Sequence, residues 1–175
     1  YRETSVWGFD LVSFIGDFTN RFEIGYFSTE NDTEVDSITI NDASYIQFAG
    51  QVEYSTENNI MLSLQIIGSQ ISEINGTITE DEFQPGMGTP FATFTDLGLS
   101  FSASANYYDD ALELMGNTFI DLKDSQSMLG VSAKYSPMDN WKLILSFSKF
   151  MGEEGTQFHE MEDFSHLKVG LEFHF

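Results

Sequence analysis

The sequence predicts an all-β fold, an antiparallel up-and-down sheet of the kind that forms a transmembrane β-barrel. Apolar and polar residues alternate over most of the chain, and alternating residues of a strand point to opposite faces. Aromatic residues make up 15% of the chain although hydrophobic residues reach only 41%. This combination suits a wall with one face toward lipid and the other toward water. Short and long connections also follow one another in turn.

Nine stretches of the chain alternate as strands do. The clearest is residues 93–107, where Leu99 and Phe101 alternate with Ser100 and Ser102. No stripe of helical spacing competes with these stretches. The predicted strands cover residues 5–15, 20–28, 44–54, 59–69, 93–107, 111–122, 127–135, 140–150 and 166–175.

Each predicted strand is recognised by apolar residues that fall on one of its faces. In the first four strands these are Trp7, Phe9 and Leu11, then Phe22, Ile24 and Tyr26, then Ile46, Phe48, Val52 and Tyr54, then Ile60, Leu62, Leu64 and Ile66. In the last five they are Leu97 to Tyr107 at every second residue, then Leu112, Leu114 and Ile120, then Leu129, Val131, Ala133 and Tyr135, then Trp141, Leu143, Leu145 and Phe147, then Leu167, Val169, Leu171, Phe173 and Phe175. Tyr26, Tyr54, Tyr107, Tyr135 and Trp141 lie near strand ends, where an interfacial aromatic girdle is expected.

The lengths of the connections predict an orientation. Short connections are predicted at residues 16–19, 55–58, 108–110 and 136–139, and long ones at 29–43, 70–92 and 152–164. Outer-membrane barrels have short periplasmic turns and longer external loops, so we expect the long connections outside. Residues 123–126 are the exception, because their place in the order predicts a long loop and the connection is short.

Two features of the sequence resemble known outer-membrane proteins. The last strand ends on Phe175, as the closing strand of bacterial outer-membrane barrels does, and this resemblance implies the barrel assembly machinery as a partner. Other segments resemble the C-terminal part of porin-like barrels of the alginate-export type. These segments are residues 106–112, 139–143, 152–156 and 170–175, with Arg21-Phe22-Glu23 in the second strand. The acidic charge balance differs from the basic pores of anion-exporting relatives, so the resemblance implies no particular solute.

The odd number of strands predicts that more of the barrel exists. Bacterial single-chain barrels have an even number of strands with both ends inside. We therefore expect at least one strand upstream, with Tyr1–Thr4 as the end of an external loop. Residues 1–175 are then a single β-barrel domain or the C-terminal part of a larger one.

Charge and composition exclude several classes of protein. The net charge is −21, from 28 acidic and 7 basic residues, which excludes nucleic acid as a partner. No apolar run is long enough for a transmembrane helix, and the absence of cysteine excludes disulfides and thiolate metal sites. No cofactor is expected, apart from Ca²⁺ or Mg²⁺ bridging the acidic loops to lipopolysaccharide. Chelation that leaves thermal stability unchanged would argue against such bridging.

The charged residues of the polar face are the candidate site. They are predicted to face the lumen, either as a charge ladder along a diffusion path or as cross-strand pairs that stiffen the wall. The pore-lining candidates are Arg21, Glu23, Glu53, Asp96, Glu113, Lys134, Lys142, Lys168 and Glu172.

The predicted function is a porin-like channel of the bacterial outer membrane, which passes small hydrophilic solutes or ions by passive diffusion. Two alternatives stay open: a structural barrel without conductance, and a soluble lipocalin-like barrel with its apolar face inside. No enzyme is predicted, since Ser165 and His166 are neighbours in sequence and would face opposite ways. A homo-oligomer is left open.

Overall fold

The computed structural model describes residues 3–30, 34–35, 38–76, 96–138 and 140–173, with side chains described except at residues 30–42 and 75–76. These residues form strands almost throughout. The strands are β1 (Glu3–Ile15), β2 (Phe18–Glu30), β3 (Glu34–Val35), β4 (Ile38–Ser55), β5 (Ile60–Gly76), β6 (Leu97–Tyr107), β7 (Leu112–Asp121), β8 (Gln126–Met138), β9 (Trp141–Met151) and β10 (His166–Phe173).

The strands form one antiparallel sheet in which chain neighbours are also sheet neighbours. The order is β1-β2-β4-β5-β6-β7-β8-β9-β10, and the two-residue β3 pairs with β4. The predicted all-β, up-and-down arrangement is therefore confirmed. The closed barrel is not seen in the described residues, because β1 and β10 each pair with one neighbour only.

Five of the connections between consecutive strands are short. They are residues 16–17, 56–59, 108–111, 122–125 and 139–140. Gly16 has a φ of +60° at the first position of a two-residue hairpin, a conformation that glycine adopts without strain. We call the end of the sheet that carries residues 16–17, 56–59, 108–111 and 139–140 the turn end, and the opposite end the loop end. The exceptional short turn at 122–125 lies at the loop end.

Two of the predicted loops are shorter than the sequence indicates. β4 begins at Ile38 and β5 continues to Gly76, so the predicted loops at 29–43 and 70–92 were wrong over these stretches. The hairpin ladder continues here, with register shifts beside Ile40 and Ser44, although apolar alternation has stopped. β1 likewise begins at Glu3, before the predicted start. The rest of the second predicted loop lies outside the described residues, as do His174 and Phe175 of the predicted last strand.

The third predicted loop contains the helical structure of the described residues. It carries one turn of α-helix, α1 (Gln157–Glu160), and a single 3₁₀ turn at Glu162–Phe164. In the part of the chain that the structure describes, no helix has both the length and the apolar character needed to cross a membrane.

The register divides the side chains into two faces, because residues paired across an antiparallel ladder lie on the same face. One row of partners, on what we call the apolar face, runs Leu11, Phe22, Gly50, Ile66, Leu99, Ile120 and Ser127. The next row, on what we call the polar face, runs Val12, Arg21, Gln51, Gln65, Ser100, Phe119, Met128 and Phe150. The sheet therefore has one mainly apolar face, as the alternation predicts, and a second face that carries the polar and charged residues together with the apolar Val12, Phe119, Met128 and Phe150.

The sheet is staggered from one side to the other. The row that starts at Ile15, next to the first turn, ends at Leu167 near the beginning of β10. It passes through Phe18, Tyr54, Leu62, Ala103, Gly116, Val131 and Phe147. A row that moves from the turn end to the loop end across nine strands shows that the strands are offset in one direction. A barrel wall with tilted strands needs such an offset.

Buried apolar residues are few in the described part of the chain. Phe27, Ala43 and Tyr45 form one small cluster near the loop end of β2 and β4, and the rings of Phe27 and Tyr45 stack with centroids 4.9 Å apart. Phe158 of α1 is the fourth buried apolar residue. Both groups belong to the polar face at the loop end, so the apolar face has no core above it.

Candidate functional site

The structure brings the predicted pore-lining residues to the same face. Eight of the nine lie in strands, and their ladder partners place all eight on the polar face. The ninth, Asp96, immediately precedes β6 at the loop end. Whether this face encloses a lumen stays a prediction.

Arg21 and Glu53 form a polar network in the first half of the sheet. Arg21 Nη1 lies 3.1 Å from Glu53 Oε2 and donates to Gln51 Oε1 at 3.3 Å. Gln51 Nε2 donates in turn to Glu53 Oε1 at 3.2 Å and to Ser63 Oγ at 3.1 Å. The pair is partly exposed, where one ion pair contributes no more than about 1 kcal/mol. The network therefore fixes the positions of these side chains more than it stabilises the sheet.

A second set of charged residues lies in the other half of the sheet. Glu113 and Lys134 are direct ladder partners, and Lys134 Nζ lies 3.1 Å from Glu113 Oε2. Lys142 lies directly opposite Glu172 in the register of β9 and β10. Lys168 lies opposite Ser146 on the same face. Acidic and basic residues therefore meet across neighbouring strands, as the cross-strand pairing interpretation predicts.

Asp96 and Lys123 form an ion pair at the loop end of the sheet. The pair joins the start of β6 to the turn between β7 and β8. The backbone carbonyl of Asp96 also accepts a hydrogen bond from Ser69 N at 2.9 Å. Asp96 is thus held at the rim of the polar face instead of midway along it.

Asp10 and Glu23 are two acidic residues that lie opposite each other in the register of β1 and β2. The sequence prediction included Glu23 but missed Asp10. The two are direct ladder partners on the polar face, and like charges in this position repel. They border a hollow of about 690 Å³ whose lining includes Gly8 and Gly25. The signal for Asp10 was present in the sequence, because it lies between the apolar-face residues Phe9 and Leu11.

A buried polar network at the loop end was not predicted from the sequence. Asp121 is 1% exposed, and its Oδ1 accepts hydrogen bonds from Lys123 N at 3.0 Å and Asp124 N at 3.2 Å. Its Oδ2 accepts from Gln126 Nε2 at 3.1 Å. Gln126 Oε1 accepts from Phe158 N at 2.8 Å, across a separation of 32 residues. The carboxylate is therefore satisfied by three donors, as a buried charge must be.

The ring of Phe158 enters the same region from the third loop. It packs edge-on against Phe119 of β7 and Phe150 of β9, with ring centroids 6.1 and 5.7 Å away. Phe119 and Phe150 belong to the polar-face row of Arg21. The sequence signal was weak: the acidic loop holds two phenylalanines, Phe158 and Phe164, and nothing in the pattern indicates that Phe158 is the buried one.

Many large side chains of the apolar face are exposed. Trp7 is 77% exposed and Leu145 is 48% exposed. Near the turn end this face carries aromatic pairs. Phe18 stacks on Tyr54 with centroids 4.8 Å apart, and the ring of Trp141 lies 4.9 Å from that of Phe173. These pairs lie where the sequence predicted an aromatic girdle.

Metal ligation finds no support in the described part of the chain. Residues 3–29, 43–74, 96–138 and 140–173 hold no group of three or more His, Cys, Asp or Glu side chains placed to bind one ion. In the third loop, His159 Nδ1 lies 3.9 Å from Glu162 Oε1. The side chains of the first two acidic loops, at residues 30–42 and 75–95, lie outside the described residues, so calcium or magnesium binding there stays a prediction.

Ser165 and His166, the Ser–His pair considered from the sequence, are neighbours in the chain. Ser165 Oγ accepts a hydrogen bond from Phe150 N at 3.0 Å, and His166 Nδ1 lies 2.8 Å from the carbonyl oxygen of Phe164. Both side chains are thus engaged with backbone atoms.

Among known proteins, no family model matches this chain, and no curated protein and no solved structure matches it.

Proposed function

We propose that the chain is part of the wall of a channel in the bacterial outer membrane, which passes small hydrophilic solutes or ions by passive diffusion. One observation carries the proposal: from β4 to β9 the apolar face is the more exposed face of the sheet. In β9, Leu143, Leu145 and Phe147 are exposed, whereas Lys142 and Ser146 are more sheltered. A protein that folds in water has the opposite arrangement.

Lipid is the medium that satisfies such a surface. Scattered exposed apolar residues are ordinary, but a contiguous apolar face marks a contact with protein or membrane. The strands of this sheet have the length that a membrane requires, since about 9–11 tilted residues cross the hydrocarbon layer. β6, β7 and β9 have 11, 10 and 11 residues. Aromatic pairs near the turn end suit the interface between hydrocarbon and water.

The polar face is the inner face of the barrel wall and lies toward water. Its charged residues would line the path, and pore width with lining charge would select the solute. The resemblance to porin-like barrels of the alginate-export type supports the same class. On this proposal the partners are outer-membrane lipid, lipopolysaccharide and the assembly machinery that reads the last strand.

In the described residues β1 and β10 each pair with one strand, and their outer edges need partner strands in a membrane. An unpaired strand edge is not tolerated in hydrocarbon, because its backbone groups find no water there. We expect further strands of the same barrel to pair with both edges, and a second copy of the chain is the alternative. Either would give the wall a closed hydrogen-bond ladder.

A structural barrel is the second candidate function, and the ion pairs favour it. The Arg21–Glu53 and Lys134–Glu113 pairs neutralise charge across the polar face. Side chains held in this way could fill a narrow lumen and leave an anchor or scaffold without conductance. Conductance separates the two candidates.

The test is current through planar lipid bilayers that contain the full-length protein. The channel proposal predicts discrete current steps in potassium chloride, absent from bilayers treated with detergent alone. The variant Glu23→Gln should keep the steps and lower the ratio of cation to anion permeability, since it removes one of the two acidic residues, Asp10 and Glu23, that are ladder partners on the polar face. Bilayers that contain correctly folded protein and show no steps would contradict the channel and favour the structural barrel. Protein that stays monodisperse without detergent would contradict both.

A further inference from the structure

The segment between β9 and β10 folds back over the polar face of the sheet. We call residues 152–165 the strap. Its central residue, Phe158, is 8% exposed and is buried between Phe119 and Phe150, whose rings belong to the polar face. An edge-on aromatic pair contributes about 0.5–1.5 kcal/mol beyond the area it buries. The strap is therefore docked on the sheet instead of extending away from it.

A hydrogen bond from the strap backbone to the sheet fixes the orientation of the strap on the sheet. Phe158 N donates to Gln126 Oε1 at 2.8 Å, and Gln126 is in turn held by Asp121. Both polar side chains are buried, so losing the bond would leave a buried group without its partner. The short turn at 122–125 has a structural role here, because its backbone amides at Lys123 and Asp124 hold Asp121.

The strap also has a fixed internal shape. Thr156 Oγ1 donates to the carbonyl oxygen of Glu153 at 2.8 Å and accepts from His159 N at 3.3 Å. A Cβ atom on Gly152 would lie 2.2 Å from Thr156 Oγ1 and 3.0 Å from His159 N, so this close approach requires glycine. At the far end, Ser165 Oγ accepts from Phe150 N at 3.0 Å. The strap is thus bonded within itself between Glu153 and His159, to β8 through Phe158 and to β9 through Ser165.

We infer that the strap is a permanent constriction at one mouth of the channel, and that it sets the upper size of the solute. The inference rests on the proposed function, because it takes the polar face as the wall of the channel. A segment docked over β7, β8 and β9 removes cross-section from the path along those strands. Pore width is a main determinant of selection in diffusion channels. Phe158 and Gln126 are then positioning residues that hold the constriction in place.

The first experiment removes the aromatic anchor. Phe158→Ala should increase the single-channel conductance in planar bilayers and shift the size cut-off for neutral sugars in liposome swelling toward larger sugars. Phe101→Ala is the matched control, because it removes the same side chain from the apolar face of the same sheet. It should leave the conductance and the cut-off unchanged.

A second experiment tests the position of the strap without weakening its anchor. The chain has no cysteine, so Glu160→Cys gives a single thiol at an exposed strap position. A bulky water-soluble thiol reagent should then reduce the current, and the same reagent on Asp17→Cys, in the turn at 16–17, should not.

The outcomes separate the two claims. Wild-type steps with unchanged conductance and cut-off in Phe158→Ala, and no block of Glu160→Cys, would overturn the constriction and leave the channel standing. Folded wild-type protein without steps would overturn the channel, and the constriction with it. Increased conductance and block at Glu160→Cys support both.

Discussion

Adjacent residues of β9 show most simply how the two faces differ. Leu145 lies on the apolar face and is exposed, while Ser146 lies on the polar face and is more sheltered. If water covered both faces, replacing an exposed leucine would change stability by less than about 0.5 kcal/mol. If lipid covers the apolar face, a charge at the same position must leave water for hydrocarbon. The change in the free energy of unfolding caused by one charged side chain therefore shows whether water or lipid covers the apolar face.

We predict that Leu145→Arg lowers the free energy of unfolding by about 2–4 kcal/mol, the cost of arginine on the lipid face of a barrel near the middle of the membrane. Ser146→Arg, one residue away on the opposite face, should cost much less. Urea unfolding of both variants in lipid vesicles, followed by tryptophan fluorescence, measures the difference. Equal effects of the two substitutions would contradict the assignment of the faces.

The β7–β8 hairpin is the element that connects the sheet to the strap. In its short turn at residues 122–125, two backbone amides donate to Asp121. Gln126, the first residue of β8, donates to Asp121 and accepts from the backbone N of Phe158. The hairpin thus combines a turn, a buried carboxylate and a docking point. The carboxylate of Asp121 thus bonds to two amides of the turn and to Gln126, and Gln126 bonds to the strap.

Asp121→Ala should therefore lower the free energy of unfolding by about 1–3 kcal/mol, because it leaves buried donors without an acceptor. Asp124→Ala is the control in the same turn, since only the backbone N of Asp124 bonds to the network. Urea unfolding measures stability, and limited proteolysis within residues 152–165 reports release of the strap. If Asp121→Ala leaves both the free energy of unfolding and the cleavage of residues 152–165 unchanged, the β7–β8 hairpin does not hold the strap in place.

The sequence predicted the elements better than their contacts. Alternation identified all nine long strands, since each residue's face depends only on its parity within the strand. Alternation did not identify residues 38–43 of β4 or residues 70–76 of β5. The ladder continues there, but polar residues occupy both faces. The Gln126–Phe158 contact could not be predicted, because periodicity carries no information about which residues meet across 32 positions. Asp10 was missed although its parity placed it correctly.

At the scale of the whole molecule, the described residues form a staggered sheet that is not closed and that has one apolar and one polar face. The apolar face has no core above it in the described residues, and its aromatic pairs lie near the turn end. The polar face carries the ion pairs and the strap. A net charge of −21 over 175 residues is expected to repel nucleic acid and to attract cations. Every functional inference depends on which face meets lipid.

Tryptophan quenching by brominated lipid tests this most directly. The chain has 2 tryptophans, Trp7 and Trp141, and both lie on the apolar face. In vesicles with bromine on the acyl chains, we predict that both are quenched. A tryptophan placed on the polar face by Ser132→Trp, in a Trp7→Phe/Trp141→Phe background, should instead be quenched by a water-soluble quencher. Strong lipid quenching at position 132 with none at Trp7 and Trp141 would show that the faces are reversed and would contradict the account.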